Sequence, residues 1–253
     1  MNPAKKPASD AVTALLEEVT HREQAQPLPS KHDLRGRGAV VTGAATGIGR
    51  ATALEFARRG CGVAFNYVDL PGRDVAVQAA MTEATLKSLN VPVFCDRCDV
   101  RDMKEVERFT KAAEKALGGI HILVNNAGVS RDAPLWKTDE AAWREVVDTN
   151  LTGAFNCIRA VAPIFRAQHY GRIVNVASIM AMKPGFGVAN YAASKAGLIG
   201  LTHAAAVELG PANVTVNAVA PGFVKTELTE HLWDELAARA RRSTPLGRVA
   251  EPD

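Results

Sequence analysis

Val40-Val41-Thr42-Gly43-Ala44-Ala45-Thr46-Gly47-Ile48-Gly49 joins an apolar run to a helical pattern through three glycines spaced G-x-x-x-G-x-G. Such glycines permit a tight turn and a close approach of main chain to a bound group. The helix that follows, read as Ile48–Arg59, points its free N–H groups and positive end into that turn, where a pyrophosphate would be held. A merely structural turn uses the same residue types. The spacing also differs from the usual G-x-G-x-x-G dinucleotide pattern, but its position after a first strand favours the phosphate cradle.

Outward from this turn, apolar runs alternate with helical ones. Strands are expected at Gly38–Thr42, Gly62–Tyr67, Val91–Cys95, His121–Asn125, Arg172–Ala177 and Val214–Ala218. Helices are expected at Asp102–Leu117, Glu140–Gln168 and Ala192–Leu209. Continuous apolar strands alternating with helices predict an α/β fold: a doubly wound parallel sheet covered on both faces, with ligands at the carboxyl ends of its strands. The expected division is an N-terminal extension over residues 1–36, with a short helix near Val12–Val19, and one dinucleotide-binding catalytic domain over 37–253.

The 253 residues carry 47% hydrophobic and 23% charged residues and a net charge of +3. That balance is ordinary for a globular enzyme and gives no basic patch for nucleic acid. No apolar stretch is long enough to span a membrane, and Lys5 and Lys6 are not followed by a signal-peptide core. The expected location is cytoplasmic. Four cysteines fit a reducing compartment. Cys95 and Cys98 form a C-x-x-C pair, but a zinc site needs about four ligands and no second pair exists. Two strand-end thiols are the simpler reading, and no metal is expected.

In the usual dinucleotide fold an acidic residue at the tip of the second strand holds the adenosine ribose. Here that strand ends Phe65-Asn66-Tyr67, and Asp69 lies two residues beyond. The acid-free tip favours NADP over NAD, with Arg50 or Arg73 as the positive charge, unless the loop folds Asp69 back. Tyr191 and Lys195 stand four apart on one helix face. A neighbouring ammonium and an oxidised nicotinamide both lower a phenol's pKa, so the pair suits proton exchange with a carbonyl or alcohol oxygen. Such pairs also occur by chance on surfaces. Ser178 follows an apolar strand and can donate to a substrate oxygen. Asn150 interrupts a long helical pattern, where it holds either a local distortion or a water, or is simply solvated.

Together Thr42–Gly49, Asp99-Val100, Asn125-Asn126-Ala127-Gly128, Asn150, Ser178, Tyr191-x-x-x-Lys195 and Pro221-Gly222 resemble the short-chain dehydrogenase/reductase family, from Leu34 onward. The resemblance implies a catalytic tetrad of Asn150, Ser178, Tyr191 and Lys195, with Ser178 and Tyr191 meeting the substrate. It implies that Lys195 also bonds the nicotinamide ribose and that Asn150 holds a water in a proton relay. Cofactor contacts are implied for Gly43, Thr46, Gly47, Ile48, Gly49, Asn66, Asp99, Val100, Asn126, Ala127, Gly128, Tyr191, Lys195, Pro221, Gly222, Val224 and Thr226. Gly187-Val188-Ala189-Asn190-Tyr191 and Pro245-Leu246-Gly247-Arg248 look most like the beta-ketoacyl-acyl-carrier-protein reductases of that family.

The implied function is reduction of a ketone with NADPH, on a small or acyl-carrier-bound substrate, in a homo-oligomer. An NAD-linked alcohol or sugar dehydrogenase is the alternative enzyme, and a non-catalytic dinucleotide-binding scaffold the alternative of another class. Family members continue past Glu251-Pro252-Asp253 into a further helix, a last strand and a glycine-rich tail. The expectation is therefore a domain lacking that strand, with an exposed sheet edge and a dimer through the long helices instead of a tetramer. Small residues on the second of these (Ala192, Ala193, Ala196, Gly197, Gly200) are the expected packing surface.

Overall fold

The computed structural model describes residues 33–70, 72–226, 238, 242 and 244–252. The helix expected near Val12–Val19 lies outside them. Strands β1 (Gly38–Val41), β2 (Gly62–Tyr67), β3 (Val93–Arg97), β4 (Ile122–Asn125), β5 (Gly171–Val176) and β6 (Val214–Val219) form one parallel sheet in the order β3-β2-β1-β4-β5-β6. Helices α1 (Gly47–Arg58), α2 (Val75–Lys87), α3 (Met103–Leu117), α4 (Glu140–Val147), α5 (Gly153–Ala167) and α6 (Ala189–Leu209) connect them. The chain leaves β1 in one direction for β2 and β3, then returns to β4 on the other side of β1. The switch in winding, where such sheets bind ligands, thus lies between β1 and β4.

Alternation along each strand divides the core in two. Val40, Ala64, Leu123, Ile173 and Val216 pack with Phe109 of α3, Val161 and Phe165 of α5, and Leu209 of α6. Val41, Val63, Phe65, Ile122 and Val124 face the other way, against Ala53, Leu54 and Ala57 of α1 and Ala79 and Leu86 of α2. Leu34 packs on this second cluster, and its N–H donates to the Arg59 carbonyl. The sheet domain thus takes in at least one residue assigned to the extension.

Two elements differ from their expected form. Glu140–Gln168 is not one helix: a π-helical turn over Asp148–Thr152 separates α4 from α5, and Asn150 is buried inside it. Such turns carry an extra residue and rotate the helix face, often at functional sites. Strand β3 runs from Val93 to Arg97, two residues later than expected, because Pro92 cannot join a ladder as a donor. Helix α2 fills the stretch between β2 and β3, where the alternation calls for a helix but no periodicity marks its bounds. Among the described strands β6 pairs with β5 alone, and Thr215, Asn217 and Val219 are exposed.

Candidate active site

The glycine turn is locked from below. The Thr42 hydroxyl accepts from the N–H groups of Asn126 and Ala127, each at 2.9 Å, and so ties the end of β1 to the segment leaving β4. Asn126 Nδ2 donates to the carbonyls of Thr42 (2.9 Å) and Gly43 (3.2 Å). Asn66 is buried; it accepts from the Gly43 N–H at 3.2 Å and donates to the Cys98 carbonyl at 2.7 Å. Asn66 and Asn126 therefore brace the cradle with their side chains, a role that local sequence reading did not supply. Gly43 has φ +65°, and a Cβ there would stand 2.9 Å from the Ala127 Cα.

Helix α1 begins on Thr46, which makes no side-chain cap. By contrast, the carboxylates of Asp102 and Asp139 cap α3 and α4. The first-turn N–H groups of α1 thus face the turn without a side-chain acceptor, alongside Gly47 and Ile48. This arrangement fits the pyrophosphate of a dinucleotide.

Past the end of β3, Arg101 binds the Asp99 carboxylate through both guanidinium and main-chain N–H. These hydrogen bonds hold the carboxyl below its ordinary range. Asp69, two residues beyond the tip of β2, accepts from Arg97 Nε at 3.1 Å through its carboxylate. Arg50 donates to Thr82 and joins α1 to α2. Val100 is buried against Gly153, where a Cβ would come within 2.5 Å of Val100 Cγ2.

At the reacting end, Ser178 follows β5 and Tyr191 and Lys195 lie on the first turns of α6. Lys195 is buried, and its Nζ donates to the Val176 carbonyl at 2.7 Å and stands 5.7 Å from the Tyr191 ring centroid. Burial pushes this ammonium down to about 8. Burial raises the Tyr191 phenol above its ordinary value; the Ser178 hydrogen bond opposes this and the Asp132 carboxylate adds to it. The expected lowering of the phenol is therefore not what the protein alone produces. Desolvation outweighs the Ser178 hydrogen bond, and the nearby ammonium is directed at the Val176 carbonyl.

Asn150 Oδ1 accepts from the Val129 N–H at 2.8 Å, and Nδ2 donates to the Val129 carbonyl and the Ser194 hydroxyl, both at 3.0 Å. A Cβ on Gly128 would stand 3.1 Å from Asn150 Oδ1 and 3.4 Å from Lys195 Nζ, so the bare Gly128 opens a space lined by both. The structure thus brings Asn150, Ser178, Tyr191 and Lys195 to one end of the sheet.

Pro221 accepts from the Ile179 N–H at 3.0 Å, beside Ser178. Gly222 follows, Val224 forms a bridge with Ala250, and Thr226 lies at the end of that segment. Beyond the phenol, the Ala133 N–H donates to the Gly187 carbonyl, joining the loops after β4 and β5. These loops carry exposed Leu135, Trp136, Met182 and Phe186, with Trp136 and Phe186 in edge contact at 6.1 Å.

The C-x-x-C thiols are not a pair. Cys98 belongs to one core cluster and Cys95 packs against the other, so they lie on opposite sheet faces. Burial raises both thiols to about 12. On α6, Ala193, Ala196 and Gly200 are exposed, but Gly197 faces inward, where a Cβ would meet Leu151 at 2.8 Å.

Lys195 sets a stability expectation. Its folded value near 8 lies below the ordinary lysine value of about 10.4, so the unfolded chain binds more protons between those limits and stability rises with pH there. Relative to Lys195→Met, the wild type should gain about 2 kcal/mol between pH 8 and 10. Melting curves of the two cofactor-free proteins check this, and a constant difference across that range contradicts it.

The short chain dehydrogenase family profile matches residues 37–237. The chain is 41% identical over 215 residues to the 3-oxoacyl-acyl-carrier-protein reductase FabG of Staphylococcus aureus, covering 85% of each chain. It is 39% identical over 220 residues to FabG of Thermotoga maritima, covering 87% of each. The crystal structure of a short-chain type dehydrogenase/reductase from Mycobacterium marinum superposes with a TM-score of 0.80 at 33% identity, covering 87% of this chain and 85% of that one.

Proposed function

This chain belongs to the short-chain dehydrogenase family of nicotinamide-dependent oxidoreductases, and we propose that it reduces a ketone to a secondary alcohol with NADPH, Tyr191 giving the proton. The convergence of the Tyr191 phenol, the Ser178 hydroxyl and the buried Lys195 ammonium at the carboxyl end of β5 carries this reading. Gly43, Thr46, Gly47, Ile48 and Gly49 would hold the pyrophosphate. Asp99, Val100, Asn126, Ala127 and Gly128 would line the cleft, with Pro221, Gly222, Val224 and Thr226 closing its nicotinamide end. When bound, the nicotinamide supplies the hydride to the carbonyl carbon.

The chain's own part is to manage the proton and the oxygen. Ser178 donates to the substrate oxygen and holds it against the phenol. Tyr191, kept protonated at neutral pH by its burial, delivers its proton to that oxygen as negative charge develops. The ammonium of Lys195 favours the resulting phenolate and would also bond the nicotinamide ribose, and Asn150 would hold the water that returns the proton.

The names of the relatives and the apolar rim of Leu135, Trp136, Met182 and Phe186 support a 3-oxoacyl thioester as substrate. Among the described residues no helix is long and apolar enough to cross a membrane; we place the enzyme's work in the cytoplasm, on a carrier-bound acyl chain. Loss of absorbance at the nicotinamide band tests the reading directly. Oxidation of NADPH with 3-oxoacyl thioesters is expected. Turnover confined to NAD with sugars or simple alcohols would overturn it.

Cofactor choice follows from the tip of β2. Tyr67 occupies it, and Asp69 is engaged by Arg97, so no free carboxylate repels a 2′-phosphate. Placing a carboxylate there by Tyr67→Asp should shift the ratio of kcat/KM for NADPH over NADH toward NADH by at least about tenfold, as one unfavourable charge contact implies. A wild type that already prefers NADH would refute the assignment.

A further inference from the structure

Ser194 precedes Lys195 on α6, has no role in the chemistry above, and is 1% exposed. A hydroxyl has one proton to give. Here it goes to the Tyr191 carbonyl at 2.8 Å, within the same turn of helix. Toward Asn150 Nδ2, at 3.0 Å, Ser194 therefore acts only as an acceptor.

The partners of Asn150 fit one orientation of its carboxamide. Oδ1 meets the Val129 N–H and Nδ2 meets the Val129 carbonyl; turning the amide over would set donor against donor and acceptor against acceptor. Val129 alone would still let the amide pivot about that pair of contacts. The third bond, to Ser194, removes the pivot and occupies the remaining proton of Nδ2. Without it a buried N–H would lack an acceptor. Ser194 also joins two elements that the fold builds separately: the π-turn carrying Asn150 and the first turns of α6 carrying Tyr191 and Lys195. Asn150 Oδ1 and Lys195 Nζ line the same space over Gly128, so a tilt of the amide changes what the lysine faces.

We propose that Ser194 is a positioning residue, its hydroxyl linking the Asn150 carboxamide to the main chain of Tyr191 and so holding Asn150, Tyr191 and Lys195 in register for proton transfer. The inference rests on the catalytic reading of Asn150 given above. It assigns Ser194 no contact with substrate or cofactor, so its loss acts on turnover and not on binding.

Four variants test it: Ser194→Ala, Ser194→Thr, Asn150→Ala and the double variant Asn150→Ala/Ser194→Ala. They are assayed with NADPH and the best 3-oxoacyl thioester found, with NADPH affinity measured by titration and folding by circular dichroism. Ser194→Ala should lower kcat by about ten- to a hundredfold, the scale of a misplaced catalytic group, while KM and NADPH affinity stay within about threefold. Ser194→Thr keeps the hydroxyl and should recover most of the turnover. The double variant should be no slower than Asn150→Ala, because the serine acts through the asparagine.

Full turnover in Ser194→Ala beside an impaired Asn150→Ala overturns the proposal and leaves the catalytic reading standing. Losses that multiply in the double variant do the same. Full turnover in Asn150→Ala removes the catalytic reading and the proposal with it. Should Ser194→Ala fail to fold, Ser194→Thr decides, since a folded but inactive threonine variant contradicts a role carried by the hydroxyl.

Discussion

Tyr191→Phe should lower kcat by about 10²- to 10⁴-fold, the loss typical of a missing general acid and equivalent to about 3–5 kcal/mol of barrier. The variant keeps the ring and removes one oxygen. The Lys195 ammonium remains anchored on the Val176 carbonyl, and the cradle from Thr42 to Gly49 shares no side-chain bond with the phenol. NADPH affinity should therefore change by no more than about twofold, and the whole effect should appear in turnover. Direction and pH follow from the same environment. Burial keeps the phenol protonated through neutral pH, so reduction should hold its rate there and fall only on the alkaline side. Alcohol oxidation needs the phenolate and should climb with pH. Steady-state rates in both directions check the loss and its sign. Turnover within a few-fold of wild type in Tyr191→Phe would remove Tyr191 from the proton step.

The features that made this site legible in the sequence are local. The glycine turn announces itself by following an apolar strand and opening a helix. Tyr191 and Lys195 share a face by their spacing alone, Ser178 follows an apolar strand, and Asn150 interrupts a long helical pattern. What the sequence hides depends on which strands are neighbours. Thr42, Asn66 and Asn126 brace the cradle only because β1 lies between β2 and β4, an order that no periodicity reveals. Ser194 matters because the π-turn is brought against α6, more than forty residues away in the chain.

Helix α2 carries no clear bounds in the sequence for a different reason. Val75–Lys87 spreads alanines around its circumference and buries only Ala79, Thr82 and Leu86, so it lacks a distinct apolar stripe. Strand β3 extends past its apolar run because it is an edge strand. Asp96 and Arg97 can sit in the ladder while their charges meet Arg108 and Asp69 in solvent. Asp69 shows the limit most plainly: it meets Arg97 because the register sets Tyr67 opposite Arg97, and no local pattern announces that register.

Gly49→Ala tests the cradle as sharply as Tyr191→Phe tests the proton. Gly49 is buried in the first turn of α1. A Cβ there would stand 2.4 Å from Asn126 Nδ2, 2.8 Å from the Gly43 oxygen and 2.9 Å from the Ala44 Cα. The last two are main-chain atoms, so the strain cannot be relieved by a rotamer change. The turn must open, and the Asn126 bonds to the Thr42 and Gly43 carbonyls must lengthen. Overpacking of this kind costs about 1–3 kcal/mol. Because it falls on the atoms that shape the pyrophosphate seat, much of it should appear as weaker binding, with the NADPH dissociation constant raised at least about tenfold. Gly200→Ala provides the contrast. Gly200 lies on α6 with nothing within 4 Å of its added Cβ, and alanine is the better helix former by about 1 kcal/mol. That variant should bind NADPH as the wild type does. Calorimetric titration of both proteins with NADPH separates the outcomes, and undiminished affinity in a folded Gly49→Ala variant would show that the glycine turn does not form the pyrophosphate seat.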